Sequence, residues 1–241
     1  MREVLSFTRR AVDDYGMIED GDRIAIGVSG GKDSVVLLAA MANLRIFYPK
    51  KFEIAAITAD PQFGGQPTDY SEIEKLCEKL GVEYIIERTD IGQIVFDVRK
   101  EEHPCSLCAR LRRGALHDIC VAHGFNKLAL GHHFDDAAET FMMNLIHEGR
   151  VGCFSPVTYL SRKDITLIRP FCLLPESKIK SAVKRQELPI VKSCCPADGT
   201  TSREDTKQLL SDLNKQYRGI KERIVGAMRR GDIDGWGTER E

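Results

Sequence analysis

The chain has 241 residues, 42% of them apolar, and a formal net charge of -1. That length suits one large domain with its own core, and no run reaches the ~18 apolar residues of a membrane span. The near-neutral charge excludes a globally basic nucleic-acid binder and confines any such surface to local patches.

The first ten residues, "MREVLSFTRR", lack the apolar centre of a secretory signal, so a cytoplasmic location without membrane attachment is expected. "IAIGV", residues 24–28, is short, apolar and rich in β-branched residues, as a buried strand is. "SVVLLAAMANLRIF" then has helical length, and "FEIAAIT" (52–58) is a second strand. "YSEIEKLCEKLG" sets Ile73, Leu76, Cys77 and Leu80 on one helical face and stops at Gly81. "VEYIIER" predicts a third strand, and "SLCARLRRGALHDICVAHG" a helix ending at Gly124. "KLALG" (127–131) predicts a fourth strand, "DDAAETFMMNLIHEG" a helix after it, and "TLIRPF" a further strand.

Strands alternating with helices of this length specify an α/β fold with a doubly wound, mostly parallel sheet. Ligands of such sheets bind beyond the carboxyl ends of the strands. The loops 29–34, 59–67 and 131–136 are therefore the ones to inspect. The sheet pattern ends at Asp198, which divides the chain into a nucleotide-binding domain, 1–198, and a C-terminal extension, 199–241. In the extension, "TTSREDTKQLLSDLNKQYRGIKERIVGAMRR" predicts one long helix opened by a Thr201–Glu204 capping box. Leu210, Leu213, Tyr217, Ile220, Ile224 and Met228 line one face of it, and the tail "GDIDGWGTERE" is expected to be loose.

"SGGKDS", residues 29–34, lies between a strand and a helix. Gly30 and Gly31 let the backbone turn and approach a ligand closely. Successive N–H groups at a helix start form an anion site, to which Lys32 adds charge and Ser29 and Ser34 add hydroxyls. The site suits a pyrophosphate. Asp33 would repel that anion unless a divalent cation lies between them, which implies Mg²⁺. Alone, the same stretch also reads as a glycine turn with a helix cap.

Of the eight cysteines, Cys77, Cys120, Cys153 and Cys172 fall within apolar patterns and read as core residues. Cys105 and Cys108 form a C-x-x-C near a helix start, beside Arg110, Arg112 and Arg113, an environment that lowers thiol pKa values. The pair is compatible with half a zinc site, a redox pair or part of an iron–sulfur site. "KSCCPADG" supplies a third thiolate, and the Cys195–Pro196 step marks Cys195, with Cys194 the alternative. After the fourth strand, "LGHHFDDAAET" brings His132, His133, Asp135 and Asp136 to the ligand end of the sheet. A carboxylate there completes the Mg²⁺ or ATP site, or simply caps the helix. Neither histidine is more than a weak metal candidate.

Val28 to Ser34 after an apolar strand resembles the SGG-x-DS loop of the PP-loop ATP pyrophosphatases, which cleave ATP between the α- and β-phosphates and activate a carbonyl as an adenylate. Taken in order, "SGGKDS", "HPCSLCARLRRGAL", "LGHHFDDAAET", "IRPF" and the late "CCP" resemble the tRNA 2-thiocytidine synthetases. The resemblance runs from about residue 20 to 205. The late cysteine departs from it, since "SCCPADG" is nearer to the related 2-thiouridine branch.

This resemblance implies an adenylating sulfurtransferase acting on a cytidine at position thirty-two of tRNA. It implies ATP, Mg²⁺ and a 4Fe–4S cluster on Cys105, Cys108 and Cys195 or Cys194, with one open iron able to carry sulfide or substrate. ATP would lie on Ser29, Gly30, Gly31, Lys32, Asp33 and Ser34, its adenosine near Asp60 and Gly131. Lys32 and Mg²⁺ would neutralise the pyrophosphate, with Asp33 or Asp136 anchoring the metal. Arg110, Arg112, Arg113, Lys178, Lys180, Lys184 and Arg185 could meet tRNA phosphates, the last four reading rather as a solvated helix face. The sulfur donor would be a cysteine desulfurase or free sulfide, and a homodimer is left open. The rival readings are a thiolase of another nucleoside or small molecule, a cluster-free adenylating enzyme resembling lysidine synthetase, and a redox sensor on a nucleotide fold.

Overall fold

The structure is a computed structural model that describes residues 1–100, 104–192, 194–196 and 202–238, the side chains of Ser202 and Arg203 excepted. A six-stranded sheet is built from β1 (Asp22–Gly27), β2 (Phe52–Asp60), β3 (Glu83–Arg88), β4 (Lys127–Ala129), β5 (Val157–Leu160) and β6 (Ile165–Ile168). Its order is β3-β2-β1-β4-β6-β5. Every neighbouring pair is parallel except the β5–β6 edge. The doubly wound, mostly parallel expectation holds. The register Ile24↔Ile54 and Ala25↔Leu128 places β1 in the centre of the sheet, between β2 and β4.

Alternation along β1 sends Ile24 and Ile26 to one face and Ala25 to the other. On the first face they meet α2 (Lys32–Phe47), buried from Ser34 to Ala42 because α1 (Arg2–Asp14), α3 (Ser71–Leu80) and α7 (Glu176–Gln186) cover it from outside. On the second face Ala25, Ala55, Ile57 and Leu128 pack against Ile119 and Cys120 of α5 (Pro104–Ala122). Before α5 comes a short turn, α4 (Ile91–Gln93), running on as a π-helical turn, Ile94–Val98. α6 (Phe134–His147) follows β4. Strand order reverses between β1 and β4, the kind of switch point at which doubly wound sheets hold ligands.

The C-terminal region differs from expectation in two ways. The single long helix is two: α8 (Ser202–Gln216) and α9 (Ile220–Arg230). The break sits at Gly219, φ +82°, where Asn214 Oδ1 accepts the Gly219 N–H at 2.9 Å and competes with the helical ladder. Tyr217, placed on the apolar face by pattern, is exposed, while Leu210, Val225 and Met228 are buried. Thr201 of the expected capping box, and the boundary at 198/199, lie outside the described residues.

The tail up to Thr238 is not loose. Trp236 is fully buried, donates its indole N–H to the Phe154 carbonyl at 2.7 Å and meets the Tyr15 ring edge-on. Cys77, Cys120 and Cys172 are core residues, and Cys153 is half-buried with its thiol on the Ala137 carbonyl. Among the described residues no helix is long and apolar enough to cross a membrane.

Candidate active site

A cleft of about 470 Å³ opens at the carboxyl ends of β1 and β4, lined by Val28, Ser29, Asp33, Ser34, Arg112, Gly131, His132 and Asp136 among others. The loop that forms its floor is tied internally. Ser34 Oγ donates to the Gly31 carbonyl at 2.9 Å and accepts the Ser29 N–H at 3.1 Å. Gly30 has φ +82°, a conformation that glycine adopts without steric cost. Gly131 is needed for a different reason: a β-carbon there would lie 3.2 Å from the Asp33 carbonyl carbon and 3.3 Å from the Ser34 nitrogen. The backbones after β1 and β4 therefore touch beside the α2 N-terminus, where the first amide groups of a helix favour an anion.

Lys32 reaches two carboxylates, Asp33 Oδ2 at 3.0 Å and Glu176 Oε1 at 3.1 Å. Burial works to lower the Lys32 pKa, and these two partners more than offset it, so the ammonium is held charged. Asp33 Oδ1 is buried without a hydrogen-bond partner among the described residues. An unsatisfied carboxylate oxygen beside an anion site fits a Mg²⁺ ligand.

His133 stands between the acidic residues. It is 4% exposed, its Nδ1 accepts the Asp136 N–H at 3.2 Å, and its Nε2 faces Asp33 Oδ1 at 3.7 Å. Asp136 Oδ2 in turn accepts the His133 N–H at 2.9 Å. The two form a reciprocal capping box on α6, with histidine in the N-cap position. Asp136 thus caps the helix and lines the cleft at once. Among the described residues no group of three His, Cys, Asp or Glu is placed to hold one metal ion. Mg²⁺ at such sites takes most of its oxygens from phosphate and water, so one or two carboxylates suffice.

Asp60 is not brought into the cleft. Its side chain is fully buried, paired with Arg88 at 2.7 Å and accepting from the Thr68 N–H and hydroxyl, each at 2.9 Å. It fastens the 61–68 loop instead. Arg169 of "IRPF" plays a similar part: it is buried, donates to the Ser155 carbonyl and Thr158 Oγ1, and stacks over Phe154 at 5.1 Å.

The cysteine segment lies directly against the loop. Val191 donates its N–H to the Gly30 carbonyl at 3.0 Å. A second cleft of about 240 Å³ is bounded by Ser29, Gly31, Tyr70, Arg112, Lys192 and Cys194, so Arg112 borders both clefts. Cys105 is exposed, Cys108 buried and Cys195 half-buried. Burial pushes the Cys108 thiol above its usual value, Arg112 opposes this, and negative charge on Cys195 and Cys105 raises it further. The expected lowering by arginine is thus overturned for Cys108, because desolvation outweighs one partly exposed guanidinium. Cys105 and Cys195 both lie near enough to Cys108 for their charge to act on it. Three thiols are a soft donor set of the kind that holds an iron–sulfur cluster.

Of the other basic residues, Lys178 pairs with Glu3 at 2.8 Å and Lys180 with Glu176 at 2.9 Å, while Lys184 and Arg185 are exposed. α7 buries Ile179 and Ala182 and turns these cations outward, as a solvated helix face does. Glu176 was not legible in the sequence, where it is one acidic residue in the first turn of a helix. A larger cleft, about 610 Å³, runs along α1 by Arg2, Arg9 and Phe47, away from the strand ends and every motif above.

Residues 4–205 match the PP-loop domain family. The chain is 36% identical over 230 residues to the tRNA-cytidine(32) 2-sulfurtransferase of Syntrophotalea carbinolica, covering 94% of this chain and 88% of that protein. It is 39% identical over 222 residues to the enzyme of the same name from Geotalea daltonii, covering 91% and 87%. Its fold is similar to that of the U34-tRNA thiolase NcsA from Methanococcus maripaludis with its [4Fe-4S] cluster. The TM-score is 0.77 at 27% identity, over 93% of this chain and 77% of that one.

Proposed function

The chain belongs to the PP-loop family, among the tRNA-cytidine 2-sulfurtransferases, and from that premise we propose that it uses ATP to replace the C2 oxygen of cytidine thirty-two in tRNA by sulfur. One observation carries the reading: the Val191–Gly30 hydrogen bond and the shared border at Arg112 bring the nucleotide loop and the cysteine segment to one site. Adenylation and sulfur delivery need that proximity, because an adenylated pyrimidine left to water would hydrolyse.

The C2 oxygen of an amide-like ring is a poor leaving group. It attacks the α-phosphate of ATP, pyrophosphate departs, and the oxygen then leaves with AMP when sulfur bonds to C2. The amide groups at the α2 N-terminus and the Lys32 ammonium hold the departing pyrophosphate. Asp33, with its unpartnered Oδ1, would anchor Mg²⁺. Asp136 stands on the same cleft as a further carboxylate, held by its capping bond to His133. Arg112 borders both clefts and would face the charge on the α-phosphate, with the ring in the second cleft. A 4Fe–4S cluster on Cys105, Cys108 and Cys195 would supply an iron with no protein ligand, at which sulfur can be held.

The test is mass spectrometry of tRNA nucleosides from cells with and without the gene. Loss of 2-thiocytidine alone is the expected result; unchanged 2-thiocytidine, or loss of a different thionucleoside, overturns the assignment.

A further inference from the structure

Lys32 is the mobile cation of the nucleotide loop, yet it is already held by two carboxylates, Asp33 and Glu176. Placing Glu176 there is costly for anion binding, since it sets negative charge beside a phosphate site. The surroundings show that its position is built. The Glu176 side chain is only 12% exposed. Its backbone N–H donates to Asp135 Oδ2 at 2.7 Å, and Asp135 Oδ1 takes Lys221 of α9 at 2.7 Å. Its own Oε2 takes Lys180 at 2.9 Å, and Lys207 of α8 stands 3.9 Å from Oε1. Lys180 of α7 and Lys207 of α8 thus reach the carboxylate itself, Asp135 of α6, fixed by Lys221 of α9, holds its backbone, and its remaining contact is the loop lysine.

A lysine carries four rotatable bonds and spreads over many rotamers. Two acceptors at 3.0 and 3.1 Å reduce that spread to one place. Fixed charge aimed where pyrophosphate develops lowers the barrier, whereas a loose lysine binds ground state and transition state alike. We propose that Glu176 is a positioning residue for the adenylation step: it aims the Lys32 ammonium at the departing pyrophosphate and trades ATP affinity for rate. The inference rests on the ATP reading of the loop.

The experiment compares the parent, Glu176→Gln, Glu176→Asp, Lys32→Ala and the Lys32→Ala/Glu176→Gln pair, all reconstituted anaerobically. Affinity for α,β-methylene-ATP is read by calorimetry, pyrophosphate release with tRNA gives kcat, and the melting temperature monitors the fold. Glu176→Gln is expected to bind the analogue at least as tightly as the parent while kcat falls about tenfold or more. Glu176→Asp regains part of the rate. On the Lys32→Ala background, Glu176→Gln changes analogue affinity by less than about twofold, as an effect transmitted through Lys32 requires. A parental kcat in Glu176→Gln overturns the proposal, as does weaker binding together with a lower melting temperature, which would make Glu176 a strut of α7. If the parent does not bind the analogue, or Lys32→Ala binds it equally well, the ATP reading fails and this inference falls with it.

Discussion

Val191 closes over Gly30. It donates its N–H to the Gly30 carbonyl at 3.0 Å, and a β-carbon on Gly30 would lie 2.7 Å from the Val191 Cβ. The nucleotide loop and the approach to Cys194 and Cys195 are thereby locked in one register.

Gly30→Ala is expected to break that lock. Left-handed backbone at φ +82° costs a non-glycine residue about 1–2 kcal/mol, and the clash with Val191 adds to it. Both iron uptake on anaerobic reconstitution and affinity for an ATP analogue should fall in the one variant. A variant that loses ATP affinity and takes up iron normally would show the two segments to be independent.

Lys32→Ala and Asp33→Ala should each reduce ATP-dependent pyrophosphate release by about 100-fold or more, as loss of a fixed charge in a reaction site does. Both side chains are about one-third exposed, so the fold should hold. Release rates and circular dichroism check this; near-normal turnover in either variant contradicts the loop assignment.

Protein reconstituted without oxygen should contain about four irons per chain and lose its colour in air. Cys105→Ser, Cys108→Ser and Cys195→Ser should lose iron and thiolation together. Cys194 is exposed on the second cleft, and Cys195 precedes Pro196, so Cys194→Ser should keep its iron and most of its activity. Iron analysis of the four variants decides; stoichiometric zinc with no capacity for iron would sink the scheme.

Trp236→Ala should destabilise the protein by about 3–5 kcal/mol, the cost of emptying a large buried aromatic site. Thermal unfolding measures it. Trp236→Phe should recover most of the packing but not the indole hydrogen bond to Phe154. A shift in Tm within error for Trp236→Ala would show the tail to be loose after all.

Acid should reveal Glu176. Burial raises its pKa, the hydrogen bonds from Lys180 and Lys32 outweigh that, and the net value falls from 4.5 to about 2. A depressed folded-state pKa stabilises above the unfolded value and is lost as pH falls through the folded one. The parent should therefore lose more stability than Glu176→Gln between about pH 4.5 and pH 2. Parallel curves of melting temperature against pH would contradict it.

Five of the six strands and the loop that defines the site can be read locally, because runs such as β1 and β2 are apolar on both faces and "SGGKDS" sits at a strand end. β5, a four-residue edge strand with Tyr159 exposed, carries no such pattern. α1 does have one, Val4, Thr8, Ala11 and Val12, though the charges around it mask the stripe. Asp60 departs from expectation, and Glu176 enters the site with no expectation behind it. An aspartate at the carboxyl end of a strand reads as a ligand, but Arg88 and Thr68 consume it. A glutamate at a helix start reads as a dipole partner, and only the folded chain brings Lys32 to it. Long-range pairing of this kind leaves no local periodicity to read.

The Trp236 anchor has a consequence for how the chain is made. The Tyr15 hydroxyl donates to the Trp236 carbonyl across 221 positions of sequence, and the indole shields Phe154 and, beyond it, His132 at the cleft wall. On the ribosome the amino-terminal segment emerges first and docks early. The gap between Tyr15 and Phe154 stays open until residue 236 has been synthesised. A nascent chain halted before that residue should expose this aromatic gap to chaperones, and crosslinking of stalled chains of different lengths would detect its closure.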